Sequence, residues 1–265
     1  MDAREPAADT ETRSMRREVL LGTPLCVTSY ADLGRQCQDL VRRDATTVID
    51  FTNTQIVTMR RHDPAFRAMT RRTDYFVPDS TPLLWCLNAR GARMPDRVYG
   101  PTFMHRFLAT VGPEYTHYLL GGSEDCLQRL RVNLIRANER LNLVGVRNGY
   151  FKRDDEPAIR EEINRLAPDF LWVGLGTPKQ QEWIESQRDR IRRGVLLAVG
   201  FAFDVNAGTK RDAPPWMQRV GLTWVFRLAS EPRRLLGRYL KYNSLFLGYL
   251  VWDGLRGRVW TQPRS

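Results

Sequence analysis

The chain is poor in the residues that hold metals and staple secreted folds: only three of its 265 residues are histidine and four are cysteine. His62, His105 and His117 are scattered, and none belongs to an H-E-x-x-H or similar ligand pattern, so metal chemistry has no anchor. Cys26, Cys37, Cys86 and Cys126 show no CxxC spacing and stand in helix-like or strand-like sequence. That disfavours a zinc site and a disulfide framework and points to a reducing cytosol. No run of about eighteen apolar residues is present, which argues against a conventional membrane span. Residues 1–18 are polar and charged without an apolar h-region, so they read as a disordered tail and not as a signal peptide. There is no internal repeat and no low-complexity segment.

What the chain has in excess is positive charge, +11 in all. Between Lys210 and Arg258 ten Lys or Arg face three acids, Asp212, Glu231 and Asp253, which puts +7 in the last fifth of the sequence. The same region, from about Ala213 to Trp260, is helix-like and aromatic, and we read 213–265 as an appendage to a body spanning 19–212. Within it, Arg219, Thr223 and Arg227 share one helical face at i+4 steps, opposite an apolar stripe of Met217, Val220, Trp224 and Leu228. Arg234, Arg238 and Lys241 stand on a second helix that runs into the apolar segment Leu245 to Trp252. Cations beside aromatics suit an anionic membrane surface, each nearby cation contributing about 1 kcal/mol. A helical hairpin packed on the body, or a homo-oligomer interface, fits the same pattern.

The body alternates. Strand-like runs at Thr47 to Phe51, Asp74 to Val77, Tyr115 to Leu120, Leu141 to Val146, Phe170 to Val173 and Val195 to Val199 are separated by helix-like segments, among them Asp32 to Arg43, Pro64 to Arg72, Thr81 to Ala89, Thr102 to Val111, Asp125 to Asn138, Pro157 to Leu166 and Pro178 to Arg193. This predicts an α/β fold, a Rossmann-like, mostly parallel sheet with helices on both faces, whose ligands bind beyond the carboxyl ends of the strands. At those ends stand the candidates. Asp79 follows Tyr75-Phe76-Val77-Pro78 and could cap the next helix or act in chemistry. Asn53 could cap a turn or bind a ligand hydroxyl. Gly121-Gly122-Ser123 could cradle a diphosphate, and Gly200, Asp204, Asn206 and Gly208 form a further turn. In Asp169 to Trp183, DFLWVGLGTPKQQEW, a buried strand meets Gly174 and Gly176, with Thr177 predicted as N-cap, Pro178 in the first turn and Lys179 beside free N–H groups. That corner handles phosphate or is a well-capped connection. It is not a Walker A loop.

The order of motifs is specific: N-G-Y-F at 148–151, D-F-L-W-V-G-L-G-T-P-K-Q at 169–180, G-x-x-F-D-x-x-A-G-T at 200–209, A-P-x-W-M-Q at 213–218 and G-L-x-W-x-F-R-L-x-x-E-P-R-R at 221–234. Over about Thr47 to Tyr239 the chain resembles the WecG/TagA/CpsF family of bacterial glycosyltransferases (glycosyltransferase family 26). The resemblance implies an inverting transferase that needs no metal and no cofactor. It would move a sugar from a UDP-sugar donor to a polyprenyl-diphosphate-linked acceptor in cell-surface polysaccharide assembly, as a cytoplasmic enzyme peripheral to the inner face of the plasma membrane.

By the same resemblance Asp79 is the general base, Arg97 faces the diphosphates and Gln180 is the active-site Gln. Asn53, Gly121, Gly122, Gly174, Gly176 and Asp204 then surround the donor, while Arg219, Arg227, Arg234 and Arg238 supply the fixed positive charge. The chain departs from the family pattern at Phe51, at Ser80 after Asp79, and at Gly100-Pro101-Thr102, in the half expected to read the sugars. Two other readings stay open: a non-catalytic nucleotide-binding membrane adaptor, and a nucleic-acid binder suggested by pI and Arg–aromatic interleaving. The retained Asp79, Arg97 and Gln180 argue against both, so no nucleic-acid partner is expected.

Overall fold

The computed structural model describes residues 15–43 and 45–256. Most of the expected tail, with Arg258 and Trp260, lies outside the described residues. The chain enters the sheet earlier than expected. Strand β1 (Arg17–Leu20) pairs antiparallel with β2 (Thr23–Cys26) through a two-residue turn, Leu21 and Gly22, both at positive φ. Such a turn has the twist a tight hairpin needs. Arg17 and Glu18, assigned to the tail from sequence, are therefore strand residues.

From there strands and helices alternate. Helix α1 (Tyr30–Val41) is capped by Ser29, and β3 (Thr46–Thr52) follows. Then come α2 (Thr54–His62), α3 (Pro64–Met69), β4 (Tyr75–Pro78), α4 (Thr81–Ala89) and α5 (Gly100–Thr110). The second half runs β5 (Thr116–Gly121), α6 (Glu124–Ala137), β6 (Asn142–Arg147), α7 (Glu156–Leu166), β7 (Phe170–Gly174), α8 (Lys179–Gln187), β8 (Gly194–Ala198) and α9 (Ala202–Ala207). The chain closes with α10 (Pro215–Arg219), α11 (Thr223–Ser230) and α12 (Pro232–Leu255).

The strands form one eight-stranded sheet in the order β1-β2-β4-β3-β8-β7-β5-β6, and every pairing but β1 with β2 is parallel. This is the expected α/β, Rossmann-like architecture. Side chains alternate across the pleat, so β7 feeds both cores. Phe170 and Trp172 pack with Phe103 and Phe107 of α5 and the apolar faces of α1 and α6, while Leu171 and Val173 meet Ile159 and Ile163 of α7 and Trp183 of α8. A third cluster joins Phe76 of β4 and Leu83 and Leu87 of α4 to Phe246 of α12, which seats the C-terminal helix on the sheet's β4 side. The four cysteines are free thiols.

Two expectations about helices need correction. Helix α8 starts at Lys179, with Pro178 in the cap position and no side-chain cap bond, so Thr177 does not cap it. The amphipathic face drawn through Arg219, Thr223 and Arg227 is broken, because α10 stops at Arg219 and Gly221 takes φ 73 before α11 begins. A positive φ ends the run of helical hydrogen bonds, so the two arginines point independently.

Candidate active site

Because the central strands are parallel, their carboxyl ends open on one edge, where Asn53, Asp79, Gly122, Gly174, Gly176 and Gly200 border one cleft of about 920 Å³. Helices α11 and α12 form its opposite wall, with Thr223, Arg227, Arg234 and Arg238 turned toward it. Body and appendage thus share a single site.

Asp79 stands just after β4, its backbone N–H bonded to the Thr52 carbonyl at 2.8 Å. The side chain does not cap α4, the helix that follows it. Ser80 holds that cap position, and the Asp79 Oδ1 instead accepts the Gly100 N–H, at the start of α5, at 2.6 Å. Desolvation raises its pKa to about 6; Arg97, the Gly100 N–H and Arg227 pull it down, and Asp50 pushes it further up. Burial wins over two cations because neither guanidinium is paired with it: Asp79 forms no ion pair within 4.0 Å among the described residues, while Arg97 lies over the Tyr99 ring at 4.3 Å and gives a hydrogen bond to Gln218 at 3.1 Å. A carboxylate of this kind binds a proton readily near neutrality.

Asn53 caps α2, its Oδ1 accepting the Ile56 N–H at 3.2 Å, and also lines the cleft. On the glycine side, Gly122, Gly174 and Gly176 line the cleft, whereas Gly121 does not. A Cβ on Gly121 would come within 2.4 Å of the Gly174 backbone, so its role is the close passage of β5 against β7. Gln180 is 3% exposed; its Oε1 accepts the Gly176 N–H at 3.1 Å, which folds the turn back on the helix start. Lys179 also lines the cleft; its Nζ gives a hydrogen bond to the Gly149 carbonyl at 2.8 Å and lies over Phe151 at 4.7 Å, clipping the 148–151 loop to α8. Asp204 reaches the cleft from α9 and is engaged by Thr209 at 3.1 Å and Lys210 at 3.8 Å.

On the appendage wall, the Arg227 guanidinium lies 3.9 Å over Phe201. The Nε atoms of Arg227 and Arg238 and the hydroxyls of Thr223 and Ser80 are buried without a hydrogen-bond partner. Burial lowers the Arg238 pKa and the like charges of Arg227 and Arg234 add to this. Unsatisfied buried donors and crowded cations are costly unless an anion enters. Arg234 is partly answered already, by Glu231 at 2.5 Å. Arg219 is exposed and outside the cleft, so it does not belong with the other three.

Four residues that sequence reasoning gave no role support Asp79 and Arg97 from behind, and of these Tyr99 also lines the cleft. Asp50, in the middle of the apolar run of β3, is 2% exposed and is held by Thr52 at 2.5 Å and Gln181 at 2.7 Å; burial raises its pKa. A charged residue inside V-I-D-F was the available signal. Tyr99, Asp212 and Gln218 interlock around Arg97, and nothing in their local pattern announces it. Among the described residues no group of three His, Cys, Asp or Glu is arranged to hold a metal ion, and no helix is long and apolar enough to cross a membrane.

The Glycosyl transferase WecG/TagA/CpsF family matches residues 18–259, nearly the whole chain and both walls of the cleft. A glycosyltransferase joins a sugar donor to a glycan acceptor, and one cleft with a proton-accepting carboxylate between a glycine-lined wall and an arginine-lined wall suits that task. The chain belongs to the WecG/TagA/CpsF family of glycosyltransferases.

Proposed function

We propose that this protein is an inverting, metal-independent glycosyltransferase that moves a sugar from a UDP-sugar to a polyprenyl-diphosphate-linked saccharide in cell-surface glycan synthesis. The observation that carries the reading is Asp79, a part-buried carboxylate with its pKa raised to about 6, sharing one cleft with Arg227 and Arg238, whose buried Nε atoms have no hydrogen-bond partner. A sugar hydroxyl is a weak nucleophile. In the reaction the Asp79 carboxylate takes the hydroxyl proton as that oxygen attacks the donor's anomeric carbon from the face opposite UDP. The C–O bond to UDP breaks as the new glycosidic bond forms, so configuration inverts.

The leaving diphosphate needs positive charge that is already in place, and Arg227 and Arg238 supply it in this reading. The glycine turns let backbone N–H groups approach the nucleotide, with Gln180 bracing the 174–180 turn. Along α12 the cleft continues past Tyr242 and Phe246 to Leu247 and Leu250, an apolar path that suits the lipid end of the acceptor. Trp216 is 61% exposed, Trp252 49% and Leu255 82%, on helices that also carry the basic residues, and this supports docking at an anionic membrane surface.

The test is transfer from a panel of UDP-sugars to a polyprenyl-diphosphate monosaccharide carried in liposomes, with EDTA throughout. One donor is expected to give an anomerically inverted product, about tenfold faster on anionic than on neutral vesicles. Loss of turnover in EDTA, or a retained anomer, would contradict the mechanism, and UDP binding without product from any donor would favour the adaptor.

A further inference from the structure

Between the body and the appendage four side chains close a ring. Tyr99, just ahead of α5, gives its phenol hydrogen to Asp212 Oδ1 at 2.8 Å. Burial, together with the charges of Asp212 and Asp79, raises the pKa of that phenol well above its ordinary value, so it stays a donor. Asp212 Oδ2 accepts the Gln218 Nε2 at 3.1 Å, and the same Nε2 gives its other hydrogen to the Ala213 carbonyl at 2.8 Å. With both amide hydrogens committed, the orientation of Gln218 is fixed and only its Oε1 can face Arg97, from which it accepts at 3.1 Å. Arg97 in turn lies on the Tyr99 ring, 4.3 Å from its centroid. The Gln218 carbonyl is also tied, accepting the Thr81 hydroxyl of α4 at 2.9 Å.

The consequence concerns Asp79. Arg97 is 6% exposed and is the strongest of the cations acting on Asp79, yet the two do not pair. Left to themselves, a guanidinium and a carboxylate in a poorly solvated pocket form a bidentate pair. Such a pair would occupy both oxygens of Asp79 and weaken it as a proton acceptor. We propose that Gln218, oriented by Asp212, is a positioning residue that holds Arg97 on Tyr99 and off Asp79, so that Asp79 keeps an oxygen free to take the acceptor's proton. The segment that joins body to appendage is then a working part of the site, and the base depends on how that segment is seated. This rests on the assignment of Asp79 as the base.

The groups facing Asp79 are Asp50 from β3, Tyr30 from α1, Arg97 and Tyr99 from the segment before α5, and Arg227 from α11. Among them Arg97 is the one that Gln218 restrains. The experiment is the pH dependence of kcat/KM for the full chain, for Gln218→Ala, for Asp212→Asn and for Asp79→Asn, measured side by side.

In Gln218→Ala the acid-limb midpoint is expected to move down from about pH 6 by about one pH unit, as Arg97 closes on Asp79. At pH 7.5 kcat is expected to fall about tenfold while the donor KM stays within about threefold. Asp212→Asn, which places a donor against the Gln218 amide and turns it over, shifts the midpoint in the same direction by less, and it carries the test if Gln218→Ala does not fold. A midpoint that stays or rises in both variants overturns the proposal, whatever happens to kcat. Substantial turnover in Asp79→Asn would instead overturn the assignment of the base, which separates the two failures.

Discussion

Asp79→Asn lowers transfer by about a thousandfold, the order of magnitude that a positioned general base contributes. The amide is isosteric and its oxygen can still accept the Gly100 N–H that now comes to Asp79 at 2.6 Å, so the start of α5 keeps its cap. What is lost is the capacity to hold the proton of the attacking hydroxyl. UDP affinity is expected to change less than about threefold, because the arginine wall and the glycine turns are untouched.

Stability moves the other way from activity. The folded-state pKa of Asp79, about 6, lies above its ordinary 3.8, so the ionised side chain opposes folding. That cost is absent below about pH 3.8, grows through the interval and is complete above about 6. Its upper bound is about 3 kcal/mol, and solvent reaching the carboxyl through the open cleft keeps it lower. Asp79→Asn therefore melts no lower than the parent at pH 7.5, and any advantage disappears as the pH is brought toward 4. Thermal melts at the two pH values check this; a lower melting temperature at pH 7.5 would mean that Asp79 is a structural partner of Arg97 and Arg227.

The second large effect is on the opposite wall. Replacing Arg227 and Arg238 together by Ala lowers kcat/KM by at least about a thousandfold, since fixed charge at a developing oxyanion accounts for about 10²- to 10³-fold in rate per donor. Both guanidinium groups keep a buried Nε without a partner, and Arg238 is held among like charges, an arrangement that a diphosphate relieves. The double variant also loses the rise in melting temperature that UDP gives the parent. Arg219→Ala is the contrasting case. That side chain is exposed and outside the cleft, so with a short-chain soluble acceptor its turnover stays within about twofold. Equal losses in the two variants would mean that the positive charge acts as a general field and not as a built site.

How far the sequence discloses this arrangement depends on the range of the interactions involved. The parallel body was legible because buried strands such as Phe170–Gly174 are short apolar runs followed by turns, and amphipathic helices separate them. The β1–β2 hairpin was not, because its strands are only four residues each and carry Arg17, Glu18 and Pro24 among their apolar residues. Helix α2 was hidden by its mix of Thr, Ile and Val with polar residues, and it is tertiary packing on α12 and α3 that stabilises it. Helical periodicity drawn across Gly221 failed because one backbone angle separates α10 from α11. For the site, local pattern located Asp79 at a strand end but offered the wrong local partner. Its actual neighbours come from other parts of the chain, Arg97 and Gly100 from the entry to α5 and Arg227 from α11, and the Arg97–Gln218 bond spans 121 residues. Contacts at that separation leave no trace in spacing or periodicity.

The measurement that bears most directly on Asp79 as the base of this glycosyltransferase is the pH dependence of kcat/KM for the unmodified protein with its best donor. The acid limb reports the free enzyme's base. With Asp79 in that role, kcat/KM is flat from about pH 7 upward and falls tenfold per pH unit below a midpoint near 6. A rate that holds level down to pH 4.5 would contradict the account.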